Sequence, residues 1–334
     1  MRIAVVGAGV AGSYLLNRLD GHEVECFEQR QEDKWYTVCA WGTSQPYIAR
    51  MVKKAGLNFD DYVLHRGSKM IVDYGTGTFE APLKGLVSYD KHRLCEDMLK
   101  GHTVHWGTQV RGLDGRFEDF DLVVDATAIQ RALLPKVKDD ILVPCLEYQV
   151  KSSKLPWDDF YIKPYRGMRG YFWFFPLGEG MAHVGAGELT GAYKGQLEEF
   201  LKKYDCEVIR KIGRPVRIVP PAMCQPFNVG KVAGVGEAIG TVYPMLGEGI
   251  IPSMQSVETL VENLDDLEKY SEEILRRYDI YMKVFRFVKS KIDGNFSLMK
   301  NFPELFSIYM HMRTNTERYG LETHLSDMIK LSHV

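Results

Sequence analysis

Several features are missing from this chain, and each absence excludes a class of protein. None of the six cysteines (Cys26, Cys39, Cys95, Cys145, Cys206, Cys224) belongs to a CxxC pair, so the usual ligand spacing of a zinc or iron–sulfur site is missing and no metal is expected. Their scatter fits reduced thiols in a cytosolic protein. A charge excess is missing too. With 42 Lys and Arg against 44 Asp and Glu, the formal net charge is −2, which gives no electrostatic basis for binding nucleic acid. No apolar run is long enough to cross a bilayer, and the N-terminus reads as a strand rather than a signal peptide. The expected location is cytoplasmic, with peripheral contact at a membrane surface left open. Internal repeats and low-complexity segments are also missing. What remains is an apolar share of 45% in 334 residues, enough for two domains or one large one with a substantial core.

The most informative stretch is the first thirty residues. Arg2 to Val6 is a short, β-branched apolar run, which predicts a buried parallel strand. Gly7-Ala8-Gly9-Val10-Ala11-Gly12 follows, then helical residues from Ser13 to Leu19, then a second strand, Glu23 to Phe27, ending at Glu28. Strand, glycine turn, helix, strand and acidic residue together form a dinucleotide-binding fingerprint. Gly7 serves the turn, Gly9 admits a pyrophosphate, and Gly12 lets the helix approach the strand. The helix start offers free N–H groups to phosphates. Glu28 is placed for ribose hydroxyls and disfavours a 2′-phosphate, so the site suits FAD or NAD rather than NADP.

Further along, Trp35-Tyr36-Thr37-Val38-Cys39-Ala40-Trp41-Gly42-Thr43-Ser44 forms an aromatic, loop-like segment. It reads either as a loop over the cofactor with Cys39 near it, or as a buried free cysteine in an aromatic cluster. Residues 47 to 57 look helical, 69 to 80 look like two strands joined by a turn, and Asp90 can cap a helix through Cys95 to Leu99. Lys91 or Arg93 there is within reach of a phosphate. Short strands are expected at Val104 to Trp106 and Gln109 to Leu113. Asp121 to Ala128 reads as a buried strand whose end faces the cofactor. From Ile141 to Val219 the pattern turns antiparallel, with strands at Cys145 to Val150, Asp159 to Ile162, Tyr171 to Pro176 and Met181 to Gly187, and a helix at Gln196 to Lys203. Alternation puts Tyr171, Trp173 and Phe175 on one face and Phe172 and Phe174 on the other, so two aromatic faces predict a cavity beside the core. Lys231 to Ala238 repeats the strand-then-small-residue pattern, and a helix starts at Gly249 and runs to about Leu264. Residues 267 to 331 are expected to be helical, from Tyr270 to Ile292 and from Pro303 to Met312, followed by a polar tail.

Three of these motifs resemble the geranylgeranyl reductase group (digeranylgeranylglycerophospholipid reductase-like) of the para-hydroxybenzoate hydroxylase-like FAD flavoproteins. They are the N-terminal glycine segment with Glu28, the YxWxFP run Tyr171-Phe172-Trp173-Phe174-Phe175-Pro176, and Gly236-Glu237-Ala238 with Pro244 and Gly247-Glu248-Gly249-Ile250. The resemblance covers roughly residues 1 to 265. It implies an α/β fold: a Rossmann-like FAD-binding domain from residues 1–140 and 225–265, an interposed antiparallel-sheet substrate domain at 141–224 (the α+β part), and a C-terminal helical region at 266–334. For FAD it implies Gly7, Gly9, Val10, Ala11, Gly12, Glu28, Gln29, Arg30, Cys39, Ala40, Arg93, Val110, Ala126, Thr127, Gly236, Glu237, Pro244, Gly247, Glu248, Gly249 and Ile250. For catalysis it implies Tyr171, Trp173 and Phe175 as apolar walls, with Cys39 as proton donor or flavin-proximal group. The chain departs from the group at Glu237, where the family has Asp, and at Cys39-Ala40, where it has Cys-Gly. The activity implied is saturation of isoprenoid C=C bonds by hydride from reduced FAD. With no second GxGxxG, the electron donor is expected to be a ferredoxin-like protein or a small reductant. Three rivals share the cofactor: an FAD monooxygenase of the same fold, an electron-transfer flavoprotein dehydrogenase-like protein, and a non-catalytic or redox-neutral flavoprotein.

Overall fold

The computed structural model describes residues 1–37 and 39–334. It is built on two large sheets that face each other across a cleft. The first has six strands in the order Asn228–Val229, Val232–Gly234, Leu122–Asp125, Arg2–Val6, Glu23–Phe27 and Thr103–His105. All neighbours run parallel except the first pair. Ile3, Ala4 and Val5 are fully buried in its centre, as a strand covered on both faces requires. The Asp125 carboxylate closes the end of its strand, accepting from the amides of Thr127, Leu133 and Leu134 at 3.0, 2.8 and 3.2 Å. The stretch expected to be a strand at Gln109 to Leu113 is irregular chain, because the edge of the sheet ends at Thr103–His105 and offers no further partner.

The second sheet has seven strands in the order Glu207–Gly213, Cys145–Lys151, Met181–Glu188, Gly170–Gly178, Phe160–Pro164, Lys69–Asp73 and Thr78–Pro82. The last two come from inside the stretch 1–140, and Lys69–Asp73 joins Phe160–Pro164 in parallel, with Met70 opposite Phe160 and Val72 opposite Ile162. A boundary at residue 141 therefore does not separate the sheets: the hairpin at 69–82 crosses over to extend the antiparallel one. The strand Glu207–Gly213 was not expected from the sequence. It lies at a sheet edge, and its residues are almost all exposed, so it lacks an apolar alternation.

One face of this sheet carries Phe172, Phe174, Tyr148, Val150 and Val184, packed beneath the helix Tyr193–Lys203 through Leu197 and Phe200. The helices beyond residue 265 do not form a core of their own. Tyr270, Ile274, Val284, Phe287, Leu305 and Ile308 belong to the same buried cluster as the parallel sheet. The span Tyr270 to Ile292 is two helices, Leu267–Arg277 and Asp279–Ile292, broken at Tyr278. The expected polar tail is also structured: short helices Thr316–Tyr319 and Leu325–Leu331 follow, and Gly320 accepts from the amides of Lys84 and Leu86. Among the described residues, no helix is long and apolar enough to cross a membrane.

Candidate functional site

A single cavity of about 620 Å³ runs between the two sheets. At one end it is walled by Gly7, Gly9, Val10 and Ala11, where the first strand turns into the helix Val10–Leu16. A Cβ added at Gly12 would lie 1.9 Å from the Gly7 carbonyl oxygen, so the helix can approach the turn only with glycine there. At Gly9 a Cβ would meet nothing within 4 Å, which leaves open space over the helix start. No side chain caps that start, so its N–H groups face the cavity unpartnered by a cap. Glu28, 7% exposed, holds the rim: one carboxylate oxygen accepts from the Ala8 amide at 3.0 Å and the other from the Arg30 amide at 2.9 Å. Each oxygen keeps a lone pair for a hydroxyl. A cradle that is open at Gly9, closed at Gly12 and edged by an oriented carboxylate fits a dinucleotide.

The opposite lip is Pro244 to Ile250, held by the Gly247 amide to the Tyr243 carbonyl at 2.9 Å and the Tyr243 amide to the Glu248 carbonyl at 2.8 Å. Glu248 accepts from the Ile251 amide at 3.0 Å at the start of helix Ile250–Val261, and its other oxygen pairs with Arg318. Burial works against the Arg318 charge, but Glu248 more than offsets it and keeps the guanidinium protonated. Glu237 lines the cavity with both oxygens already engaged, by Arg214 Nη2 at 3.0 Å and the Arg217 amide at 2.8 Å. The longer side chain that replaces the family Asp is thus tied to the protein.

The cavity floor is the other face of the seven-stranded sheet. Tyr171, Trp173 and Phe175 stand there with Cys145, Glu147, Met70 and Ile162, as the alternation predicts. The Trp173 indole lies flat over Gly185, where a Cβ would be 2.2 Å from the ring, and reaches across to Glu147, whose carboxylate accepts from Nε1 at 3.1 Å. Tyr171 donates to the Leu246 carbonyl, which ties the floor to the lip. Residues 35–37, 39 and 40 border the cavity, and the short strand Gly42–Ser44 follows. Trp41 is buried with its backbone in the left-handed region (φ 63°) and packs edge-on against His183, with ring centres 4.6 Å apart. Gly42 sits on Phe175. Cys39 lines the cavity and its sulfur accepts from the Trp41 amide at 3.4 Å. Burial pushes the Cys39 thiol up, with Lys91 acting the other way, so it is a neutral thiol at neutral pH. The segment borders the cavity, and Cys39 is partly buried against the core rather than the fully buried thiol of the second reading.

Most residues expected at the cofactor come together here. Gly7, Gly9, Val10, Ala11, Glu28, Gln29, Arg30, Cys39, Ala40, Val110, Ala126, Thr127, Glu237, Pro244, Gly247, Glu248, Gly249 and Ile250 all line the cavity. Three do not. Gly12 packs behind the turn, and Gly236 is buried with its amide donating to Ser256 Oγ at 2.8 Å. Arg93 points away, its guanidinium donating to the Asp61 carbonyl at 3.3 Å and lying over the Tyr62 ring, because the capped helix turns it outward while Lys91 faces in. The sequence reading missed Glu147, His183 and Arg318. For Glu147 a signal existed: a carboxylate at an inward position of an otherwise buried strand.

No protein-family model matches the chain. A digeranylgeranylglycerophospholipid reductase of Methanopyrus kandleri is 26% identical over 329 residues, spanning 85% of this chain and 86% of that one. Among solved structures, a geranylgeranyl bacteriochlorophyll reductase-like protein of Thermoplasma acidophilum superposes with a TM-score of 0.71 over 95% of this chain and 98% of its own, at 15% identity. A probable FAD-dependent monooxygenase of Pseudomonas aeruginosa gives 0.64 over 92% and 99%, at 16% identity. The fold is shared by both.

Proposed function

We propose that this chain, a member of the geranylgeranyl reductase family, is an FAD-dependent oxidoreductase that saturates C=C bonds of isoprenoid chains, in the synthesis of archaeal-type ether lipids. One observation carries this reading: a single cavity joins a dinucleotide cradle to an apolar aromatic floor without a break. FAD bound there and reduced supplies a hydride. The chain does the rest. The turn at Gly9 and the open helix start receive the pyrophosphate, and Glu28 uses its remaining lone pairs for ribose hydroxyls. An isolated prenyl double bond offers no polar handle, so it must be held by shape and kept dry. Tyr171, Trp173 and Phe175 form that surface, and Met70, Ile162, Val288, Ile292 and Leu331 continue it toward the C-terminal helices. Cys39, as a neutral thiol over the floor, adds to the apolar wall. The electrons come from a ferredoxin-like protein or a small reductant, since the chain carries no second glycine fingerprint.

The test is anaerobic incubation of the dithionite-reduced, FAD-loaded protein with a geranylgeranylated glycerol lipid, followed by mass analysis. Gain of hydrogen pairs on the lipid, with flavin returning to its oxidised spectrum, is the expected result. An unchanged lipid under these conditions, with oxygen incorporated into an apolar substrate once air is admitted, would replace this reading with a monooxygenase.

A further inference from the structure

On the cavity floor Tyr171, Trp173, Phe175, Cys145, Met70 and Ile162 surround one carboxylate, Glu147, and His183 is buried beside it, outside the cavity lining. Glu147 and His183 stand on adjacent strands of the same face, 4% and 0% exposed. Glu147 Oε2 accepts from Trp173 Nε1 at 3.1 Å. Its Oε1 lies 3.0 Å from His183 Nδ1, a close approach off the angle of an aligned hydrogen bond. The other ring nitrogen, His183 Nε2, has no hydrogen-bond partner, and neither has the Trp41 indole N–H packed against that ring. Burying an acid and an imidazole with incomplete partners destabilises a fold relative to apolar side chains of the same size. The surroundings are nevertheless built for the pair. Gly185 removes the side chain that would block the indole from reaching Glu147, and Trp41 holds a strained left-handed backbone over His183. Glu147 itself lines the cavity.

We propose that Glu147 is the proton donor of the reaction in this cavity, with His183 as the positioning residue that shares and reloads its proton; this rests on the reductase reading above. Glu147 Oε1 and His183 Nδ1, 3.0 Å apart, are close enough to pass a proton between them. Reduced FAD held in the cradle would supply the hydride for one alkene carbon, and the Glu147 carboxyl gives its proton to the other. The π bond and the O–H bond break, two C–H bonds form, and the two electrons would come from the reduced cofactor. What remains is a carboxylate that keeps its Trp173 hydrogen bond beside a neutral imidazole, and one proton from water restores the pair. Cys39 is the poorer donor, because loss of its proton leaves a thiolate where burial opposes charge. The other titratable groups that feel Glu147 are Tyr36, Cys39, Cys145 and Tyr171, and burial holds each of them neutral. Of the charged groups acting on these neighbours, Lys91 acts on Cys39 and Arg210 lies over the Tyr36 ring.

The experiment compares the FAD-loaded full chain with its E147Q and E147D variants. Lipid saturation should fall about 100-fold in E147Q and recover in part in E147D, while flavin content and dithionite reduction stay unchanged. A second readout tests whether the two residues act as one unit. In H183Q, kcat for lipid saturation should fall while the KM for the lipid and the flavin content stay unchanged, and adding H183Q to E147Q should cost little more than E147Q alone. Full saturation activity in E147Q, or a double variant that loses the product of the two single losses, overturns the proposal and leaves the reductase reading standing. If E147Q loses its flavin, H183Q decides: an unchanged kcat there overturns the proposal. Wild-type protein that fails to saturate the lipid overturns the reductase reading itself, and the donor role with it.

Discussion

Two glutamates are buried to a similar depth, and they are built for different ends. Glu258, 7% exposed, joins the helix Ile250–Val261 to the helices Val10–Leu16 and Gln45–Lys54. It accepts from Tyr14 Oη at 2.6 Å and Arg18 Nε at 2.7 Å, and it pairs with Lys54. Burial alone would raise its pKa, but the bonds from Arg18, Lys54 and Tyr14 reverse this and hold it at about 2. Glu147 accepts from one neutral N–H, Trp173 Nε1, and lies beside a histidine at an imperfect angle. The first carboxylate is locked in one charge state and clamps three helices. The second keeps one oxygen without an aligned donor, and it faces a cavity. Depth of burial is the same kind of fact in both cases; the donor set distinguishes structure from chemistry.

Substitutions can break that contrast. The largest effect is expected from E258A, which leaves Arg18 and Tyr14 facing an empty site. Stability at pH 7 should fall by about 3 kcal/mol in urea unfolding, with flavin still bound by the folded fraction. Its pH dependence sharpens the point. A group whose pKa drops from an ordinary 4.5 to about 2 on folding stabilises fully above 4.5 and loses that contribution as pH falls through 2. The gap between wild type and E258A should therefore close between those values, and a gap that persists at pH 2 would assign the stabilisation to packing instead. Next in size is G185A. Its Cβ meets the Trp173 ring at 2.2 Å, so the indole must move. A loss of about 1–3 kcal/mol is expected, with a change in tryptophan fluorescence that F172L, on the opposite face, should not share. The smallest effect on stability belongs to W173F, which keeps the apolar body and removes the N–H from Glu147: about 1 kcal/mol by thermal unfolding. If the Glu147 carboxylate were merely structural, W173F would leave kcat for lipid saturation unchanged; here kcat should fall while flavin content holds.

Local periodicity made much of this molecule legible. The strand, turn and helix of residues 2–16 follow from β-branched runs and glycine spacing, and Asp90 caps its helix by accepting from the Arg93 amide at 2.9 Å, as its position suggests. The two faces of Gly170–Gly178 follow from strict alternation. Boundaries drifted where the signal is weak: the helix at residue 193 starts three residues before the expected one, and the exposed edge strand Glu207–Gly213 carries no pattern to read.

The sequence by itself determined the first strand, glycine turn, helix and second strand of the nucleotide-binding half, and which aromatic residues of Gly170–Gly178 share a side. Those depend on neighbours within a few positions, where backbone geometry repeats. Only the tertiary structure decided that residues 69–82 extend the second sheet, that Arg318 in the expected tail closes on Glu248, and that Arg93 turns out of the cavity where Lys91 turns in. It alone placed Glu147 beside His183, 36 positions later, with Gly185 clearing the path between Trp173 and the carboxylate. Such meetings depend on strand order and register across the sheet, and no local pattern in the chain records which distant strand will lie alongside.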